Sequence, residues 1–164
     1  MATNLKPLYN QIPSARDMSF GIVVSEWNPA ITESLLEGAY STLISNGALP
    51  KNIDVKHVPG SFELTLGAQF FAEYTSVDAI ICLGCVIRGE TPHFEYICQS
   101  VAHGITELNL QYGIPFIFGV LTTENFDQAR ERAGGKMGNK GEESALVAIK
   151  MVSLQQQMEE ETDS

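Results

Sequence analysis

The segment Gly84-Cys-Val-Ile-Arg-Gly-Glu-Thr-Pro-His93 joins a hydrophobic run to a small loop that holds a cation, a glycine, a hydroxyl and an imidazole. The run Asp78-Ala-Ile-Ile-Cys-Leu-Gly-Cys-Val-Ile87 reads as a strand buried on both faces. In a parallel sheet, ligands collect just past the carboxyl ends of such strands. His93 is expected about one helical turn inside the next element. An imidazole gives and takes protons near neutral pH, so His93 is a candidate general acid and base; the competing reading is an ordinary helix histidine in a satisfied hydrogen bond.

Other candidate groups follow the predicted strands in the same way. Trp27, the only tryptophan, stands in a Ser-Glu-Trp-Asn loop, where its ring stacks on a heteroaromatic ligand or caps the core. Ser61-Phe62-Glu63 opens a predicted helix. Glu63 is placed to accept hydrogen bonds from ligand hydroxyls or to favour the helix start, and spacing alone favours the second. Phe118 to Thr123 ends a fourth strand, so one edge of the sheet is expected to hold all these groups. Arg130, Arg132, Lys136 and Lys140 lie close together in an otherwise acidic chain, interleaved with Gly134, Gly135, Gly138 and Gly141. Such a loop lets amides and guanidinium groups approach a phosphate; alternatively it is a solvated charge run paired with Glu131, Glu142 and Glu143. Gly89-Glu90-Thr91 offers a second anion cradle at a helix start. Together these groups suggest carbonyl and amine chemistry on a phosphorylated small molecule.

The elements that must position them are legible from periodicity. Phe20 to Val24 forms a buried strand. Pro29 opens a helix with Ile31, Leu35, Ala39 and Leu43 on one face, and Asn46-Gly47 stops it. Residues 53–58 form a shorter strand, followed by a helix from Ser61 with Leu64, Ala68 and Phe71 inward. After Pro92, the spacing of Phe94, Ile97, Cys98, Val101, Ile105, Leu108 and Tyr112 predicts a long helix ended by Gly113. Pro115 to Leu121 is a strand, Asn125 to Arg132 a short helix, and a last helix runs from Gly141 with Leu146, Ile149 and Val152. This alternation predicts a three-layer α/β/α sandwich around a four-stranded parallel sheet, flavodoxin-like in type, with right-handed crossovers. Residues 1–18, carrying Pro7 and Pro13, read as an extended arm, 19–152 as the domain, and 153–164 as a helix end and acidic tail.

Bulk properties narrow the function. The 164 residues fit one domain. Ten Lys and Arg against twenty Asp and Glu give a net charge of −10, which disfavours nucleic acid and anionic membranes as partners. Neither a membrane span nor a secretion signal is apparent, so a soluble cytoplasmic protein is expected. Three cysteines in apolar segments argue against a disulfide framework. Cys82 and Cys85, three apart on a strand, point to opposite faces and cannot share a metal or a disulfide.

Four segments in order, Val58-Pro-Gly-Ser-Phe-Glu63, Gly84 to His93, Phe118-Gly-Val-Leu-Thr-Thr-Glu-Asn125 and Arg132-Ala-Gly-Gly-Lys-Met-Gly-Asn-Lys-Gly141, closely resemble the lumazine synthases of riboflavin biosynthesis. The resemblance implies condensation of 5-amino-6-(D-ribitylamino)uracil with 3,4-dihydroxy-2-butanone 4-phosphate, without a cofactor or metal. It implies that Trp27 stacks on the pyrimidine, that Ser61, Phe62 and Glu63 bind the ribityl chain, and that Cys85, Val86 and Ile87 hold the uracil edge largely by backbone groups. Glu90 and Thr91 would hold the phosphate, and His93 would shuttle protons. Phe118, Arg132 and Lys140 would come from a neighbouring subunit, Phe118 covering the ring and Arg132 gripping the phosphate. A homo-oligomer follows, a pentamer expected to close into a shell of about sixty subunits, with the arm adding to a neighbour's sheet and riboflavin synthase as an enclosed partner. Cys85 and Met137 depart from the commonest family pattern. A flavin- or lumazine-binding module, a shell protein without activity and an enzyme dismutating lumazine are the competing readings; turnover and the substrate consumed separate them.

Overall fold

The computed structural model describes residues 8–163. The expected arm therefore falls partly outside the described residues. Its later part packs on its own chain: Ala15 and Met18 are buried, and the Ala15 amide donates to the Asn46 carbonyl at 2.9 Å.

A four-stranded parallel sheet holds β1 (Phe20–Ser25), β2 (Ile53–Val58), β3 (Ala79–Ile87) and β4 (Phe116–Thr123) in the order β2-β1-β3-β4. β1 and β3 are central and buried on both faces, which accounts for their nearly uninterrupted apolar runs. The helices α1 (Pro29–Ser45), α2 (Leu64–Tyr74), α3 (His93–Tyr112), α4 (Phe126–Glu131) and α5 (Lys140–Asp163) complete three layers. One core cluster joins Ile22, Val24 and Leu83 to Leu35, Leu43 and Ile149 on the α1 and α5 side. The other joins Val23, Ile80 and Val120 to Leu64, Phe71, Val101 and Ile105 on the α2 and α3 side. Fully burying each such side chain contributes roughly 1.5–3 kcal/mol.

The two cysteines of the C-x-x-C spacing separate as alternation requires, Cys85 into the first cluster and Cys82 into the second. Burial pushes both thiols up to about 12. Among the described residues, no group of His, Cys, Asp and Glu could hold a metal, and no helix is long and apolar enough to cross a membrane.

Three local features differ from the sequence reading. His93 is the first residue of α3 rather than a turn inside it, because Pro92 stands at the cap. The glycine-rich basic loop is a two-stranded hairpin, β5 (Ala133–Gly135) and β6 (Gly138–Asn139), with Lys136 and Met137 at its turn. The last helix continues to Asp163, so the acidic end is helical, with Glu159, Glu160 and Glu161 exposed.

Candidate active site

β3 runs past β1. The β1–β3 pairing ends at Val24 and Leu83, whereas β3 continues to Ile87 and stays paired with β4. The backbone edge of Cys85–Ile87 that would face β1 thus has no strand beside it where the winding of the sheet reverses. A cleft of about 570 Å³ opens there, lined by Trp27, Ser61, Phe62, Glu63, Cys85, Val86, Ile87 and His93. Eight predicted site residues from four separate segments therefore meet in one cavity of small-molecule size.

Each side chain has a local reason to be there. β1 hands over to a loop tied to β2 by two backbone bonds, Glu26 N–H to Val58 C=O at 2.8 Å and Trp27 N–H to Pro59 C=O at 3.2 Å. The Trp27 ring is 72% exposed, which overturns the core-capping reading and leaves a flat aromatic face at the cleft. A 3₁₀ turn, Ser61–Glu63, precedes α2. Glu63 stands at the N-cap position of α2, as the helix-start reading expects, but its side chain makes no capping hydrogen bond and it also lines the cleft. His93 is exposed, borders the cleft and has no hydrogen-bond partner among the described residues, which removes the satisfied-histidine reading. Cys85 turns its thiol into the core beneath the sheet and lines the cleft with its backbone.

Asn28 was not singled out by the sequence reading, yet it lines the cleft and its Nδ2 donates to the Cys85 carbonyl at 3.2 Å. Its φ of 59° lies in the left-handed region, which asparagine tolerates better than most residues. Arg88, just past β3, is the cation that the sequence reading placed in this loop without giving it a role. Its guanidinium bonds Glu95, reaches Glu124 at 2.7 Å and covers the Phe94 ring at 4.2 Å, tying the β3–α3 loop to α3 and β4. The hydrogen bond from Arg88 holds the Glu95 carboxyl below its usual range. Glu90 and Thr91 lie exposed on that loop, beside the cleft lining but not in it, and the amides of Gly89, Glu90 and Thr91 donate to no group among the described residues.

Similarity to known proteins agrees with this arrangement. The model of the family described as 6,7-dimethyl-8-ribityllumazine synthase matches residues 17–156. A protein of that name from Parabacteroides distasonis is 61% identical over 146 residues, 89% of this chain and 91% of the relative. Relatives of the same name from Porphyromonas gingivalis and Cytophaga hutchinsonii are each 55% identical, over 90% and 92% of this chain and 91% and 94% of their own. The chain belongs to the 6,7-dimethyl-8-ribityllumazine synthase family.

Membership sharpens the meaning of the residues the cleft does not gather. Phe118, Arg132 and Lys140 are absent from its lining, so the expectation that one sheet edge holds every candidate is corrected. Phe118 lies level with Cys82, well short of the strand's end, on edge strand β4. With Lys140, Glu143 and Ser144 it lines a separate recess of about 310 Å³. The β5–β6 hairpin brings Arg132 and Lys140 together, the Lys140 amide donating to the Arg132 carbonyl at 2.9 Å. The charge-run reading holds only in part. Lys140 pairs with Glu143 at 3.0 Å and Arg130 with Asp127 at 3.5 Å, while Glu131 takes the Lys136 amide at 2.9 Å and the exposed Arg132 guanidinium donates to the Gln128 carbonyl at 3.2 Å. Met137, 38% exposed at the hairpin turn, projects from the fold in this family member. A larger groove of about 690 Å³ between the end of α3 and α5 contains none of the candidate residues and lacks a titratable cluster, so the chemistry belongs to the smaller cleft.

Proposed function

We infer that the chain condenses 5-amino-6-(D-ribitylamino)uracil with 3,4-dihydroxy-2-butanone 4-phosphate to give 6,7-dimethyl-8-ribityllumazine, phosphate and water, the penultimate step of riboflavin biosynthesis. The observation that carries this reading is the cleft at the β1–β3 switch of a lumazine synthase family member, with Trp27, Glu63 and His93 converging on it.

In this reading the uracil lies on Trp27, its edge against the backbone of Cys85, Val86 and Ile87, and its polyol chain along Ser61, Phe62 and Glu63. The 5-amino group attacks the ketone, and loss of water gives an imine. Removal of a proton from the carbon skeleton expels phosphate, and the ribityl-bearing nitrogen then closes the ring with loss of water. His93, exposed and unbonded, takes and returns these protons, a contribution of about 10²–10⁴ in rate. Holding both reactants in register supplies the rest without any cofactor. The free amides of Gly89 to Thr91, with Glu90 and Thr91, cradle the phosphate on one side.

Phe118, Arg132 and Lys140 close the site from a neighbouring subunit. Phe118 and Lys140 line a recess apart from the cleft, and Arg132 is tied to Lys140 at the base of the hairpin, which supports a composite site in which the cleft of one protomer meets these groups of the next. The working enzyme is then a pentamer that closes into a shell, with the N-terminal arm adding to a neighbour's sheet and riboflavin synthase as a candidate cargo. Three free thiols, two of them buried, suit the reducing cytoplasm.

The test supplies both substrates to purified protein and follows lumazine by absorbance, with the uncatalysed condensation subtracted. Excess turnover that needs both substrates is expected. A folded, assembled sample with no excess would sink the assignment. Sedimentation of the same sample reports pentamer against shell.

A further inference from the structure

Two serine hydroxyls under the cleft have no partner. Ser25 ends β1 fully buried, and Ser61, 7% exposed, opens the 3₁₀ turn. Among the described residues, only their Oγ atoms are buried side-chain oxygens or nitrogens without a hydrogen bond. Leaving a buried hydroxyl in that state is costly, and native folds do so rarely. Neighbouring polar groups are served: Thr123 Oγ1 donates to the Asn125 carbonyl at 3.0 Å.

The two orphans converge. Alternation along β1 and β3 puts Ser25 and Gly84 on the face that carries Val23 and Cys82, the α2 and α3 side on which the cleft opens. A Cβ built on Gly84 would stand 2.7 Å from Ser61 Oγ and 3.3 Å from Ser25 Oγ. The missing side chain of Gly84 is therefore what lets both hydroxyls reach the same place.

The geometry points to Ser25 as a positioning residue for the hydroxylated chain of the aminouracil substrate, acting through Ser61. This rests on the reading of the cleft as the aminouracil site. Ser61 borders the cleft and Ser25 does not. A turn about χ1 of Ser61 lets its oxygen accept from the Ser25 O–H while its own O–H donates to a ligand hydroxyl. Both orphans are then satisfied together, but only by a ligand that offers an acceptor at that point. The same ring bearing a plain alkyl chain leaves them unpaired, so the pair discriminates for a polyol.

Calorimetric titration of assembled wild type and Ser25→Ala, with 5-amino-6-(D-ribitylamino)uracil and with the matching pentylamino compound, tests this. Wild type is expected to prefer the ribityl form. Ser25→Ala should lose about five- to tenfold in affinity for that form alone, the size of one hydrogen bond. Its ligand-free Tm should hold or rise, because an unsatisfied hydroxyl is removed. Equal losses for both ligands with a lowered Tm would assign Ser25 to packing and overturn the inference, as would a ribityl preference unchanged in the variant. A wild type that prefers neither ligand would overturn this inference together with the reading of the cleft.

Discussion

The cleft around Trp27 and His93 and the recess of Phe118 and Lys140 are built on different supports. The cleft rests on the two central strands, with its aromatic, carboxylate and imidazole groups delivered by three loops that all leave the same end of the sheet. The recess lies on the edge strand β4 and the start of α5, and its charged member is already neutralised by Glu143. A central site can enclose a ring, whereas an edge can only offer groups to something beyond it. Phe118, Arg132 and Lys140 therefore stand apart from the cleft, and the composite-site proposal assigns them to the cleft of a neighbour.

The largest expected effect separates the halves by kind. His93→Ala should lower kcat by about 10²-fold or more while leaving measurable turnover, since substrate alignment persists; an unchanged steady-state rate would remove His93 from the mechanism. Arg132→Ala should cost about 10²-fold in kcat/KM for the phosphorylated substrate, the value of a charged hydrogen-bonded contact. Coexpressing the two variants then tests the comparison itself. If the halves come from different subunits, about a quarter of the sites regain both intact groups, and activity rises well above either variant alone. No recovery in mixed assemblies would put the complete site in one chain.

The platform under the recess gives a smaller effect. A Cβ on Gly141 would collide with the Leu35 carbonyl oxygen and stand 2.7 Å from its carbon, where α1 and α5 cross. Gly141→Ala should destabilise the fold by about 3 kcal/mol, read as a lower denaturation midpoint, because backbone rather than a pliant side chain must move. The smallest effect is a null. Cys85 borders the cleft, yet burial pushes its thiol, like that of Cys82, up to about 12, so at pH 8 only about 10⁻⁴ of it is thiolate. Iodoacetamide on the native protein should leave both unlabelled by mass spectrometry, with reactivity rising tenfold per pH unit below that value; rapid labelling of Cys85 would mean that its side chain, not its backbone, faces the ligand.

Much of the central half was legible because β1, β3 and α3 have long, regular apolar patterns that only one burial arrangement satisfies. Ile31, Leu35, Ala39 and Leu43 are all inside, as the helical period requires. The hairpin was not legible, since Ala133-Gly-Gly and Gly138-Asn carry no alternation of apolar and polar side chains. What fixes it is long-range. Asn139 donates to the Ser34 carbonyl at 3.0 Å, and its Oδ1 accepts the Gly141 amide at 2.8 Å, joining α1, the hairpin and the start of α5. Phe118 was misplaced for a related reason: a sequence gives the end of a strand, but register against β3 decides how far a given residue stands from that end. Asn28, Arg88 and Ser25 owe their importance to partners, or missing partners, on other segments, which composition does not reveal.

The strand order β2-β1-β3-β4 also sets a schedule. β1 leads the chain but lies in the middle of the sheet, so it keeps one open edge until β3 arrives. The clip that anchors that pairing, the Ser19 amide and hydroxyl on the Asp78 carboxylate at 2.6 Å and 2.8 Å, spans 59 positions. Contacts so distant in sequence close slowly and govern the rate of folding. β4 then attaches at the periphery, and with it comes Phe118. A nascent chain thus completes the strands that border the cleft before it adds the one that carries Phe118.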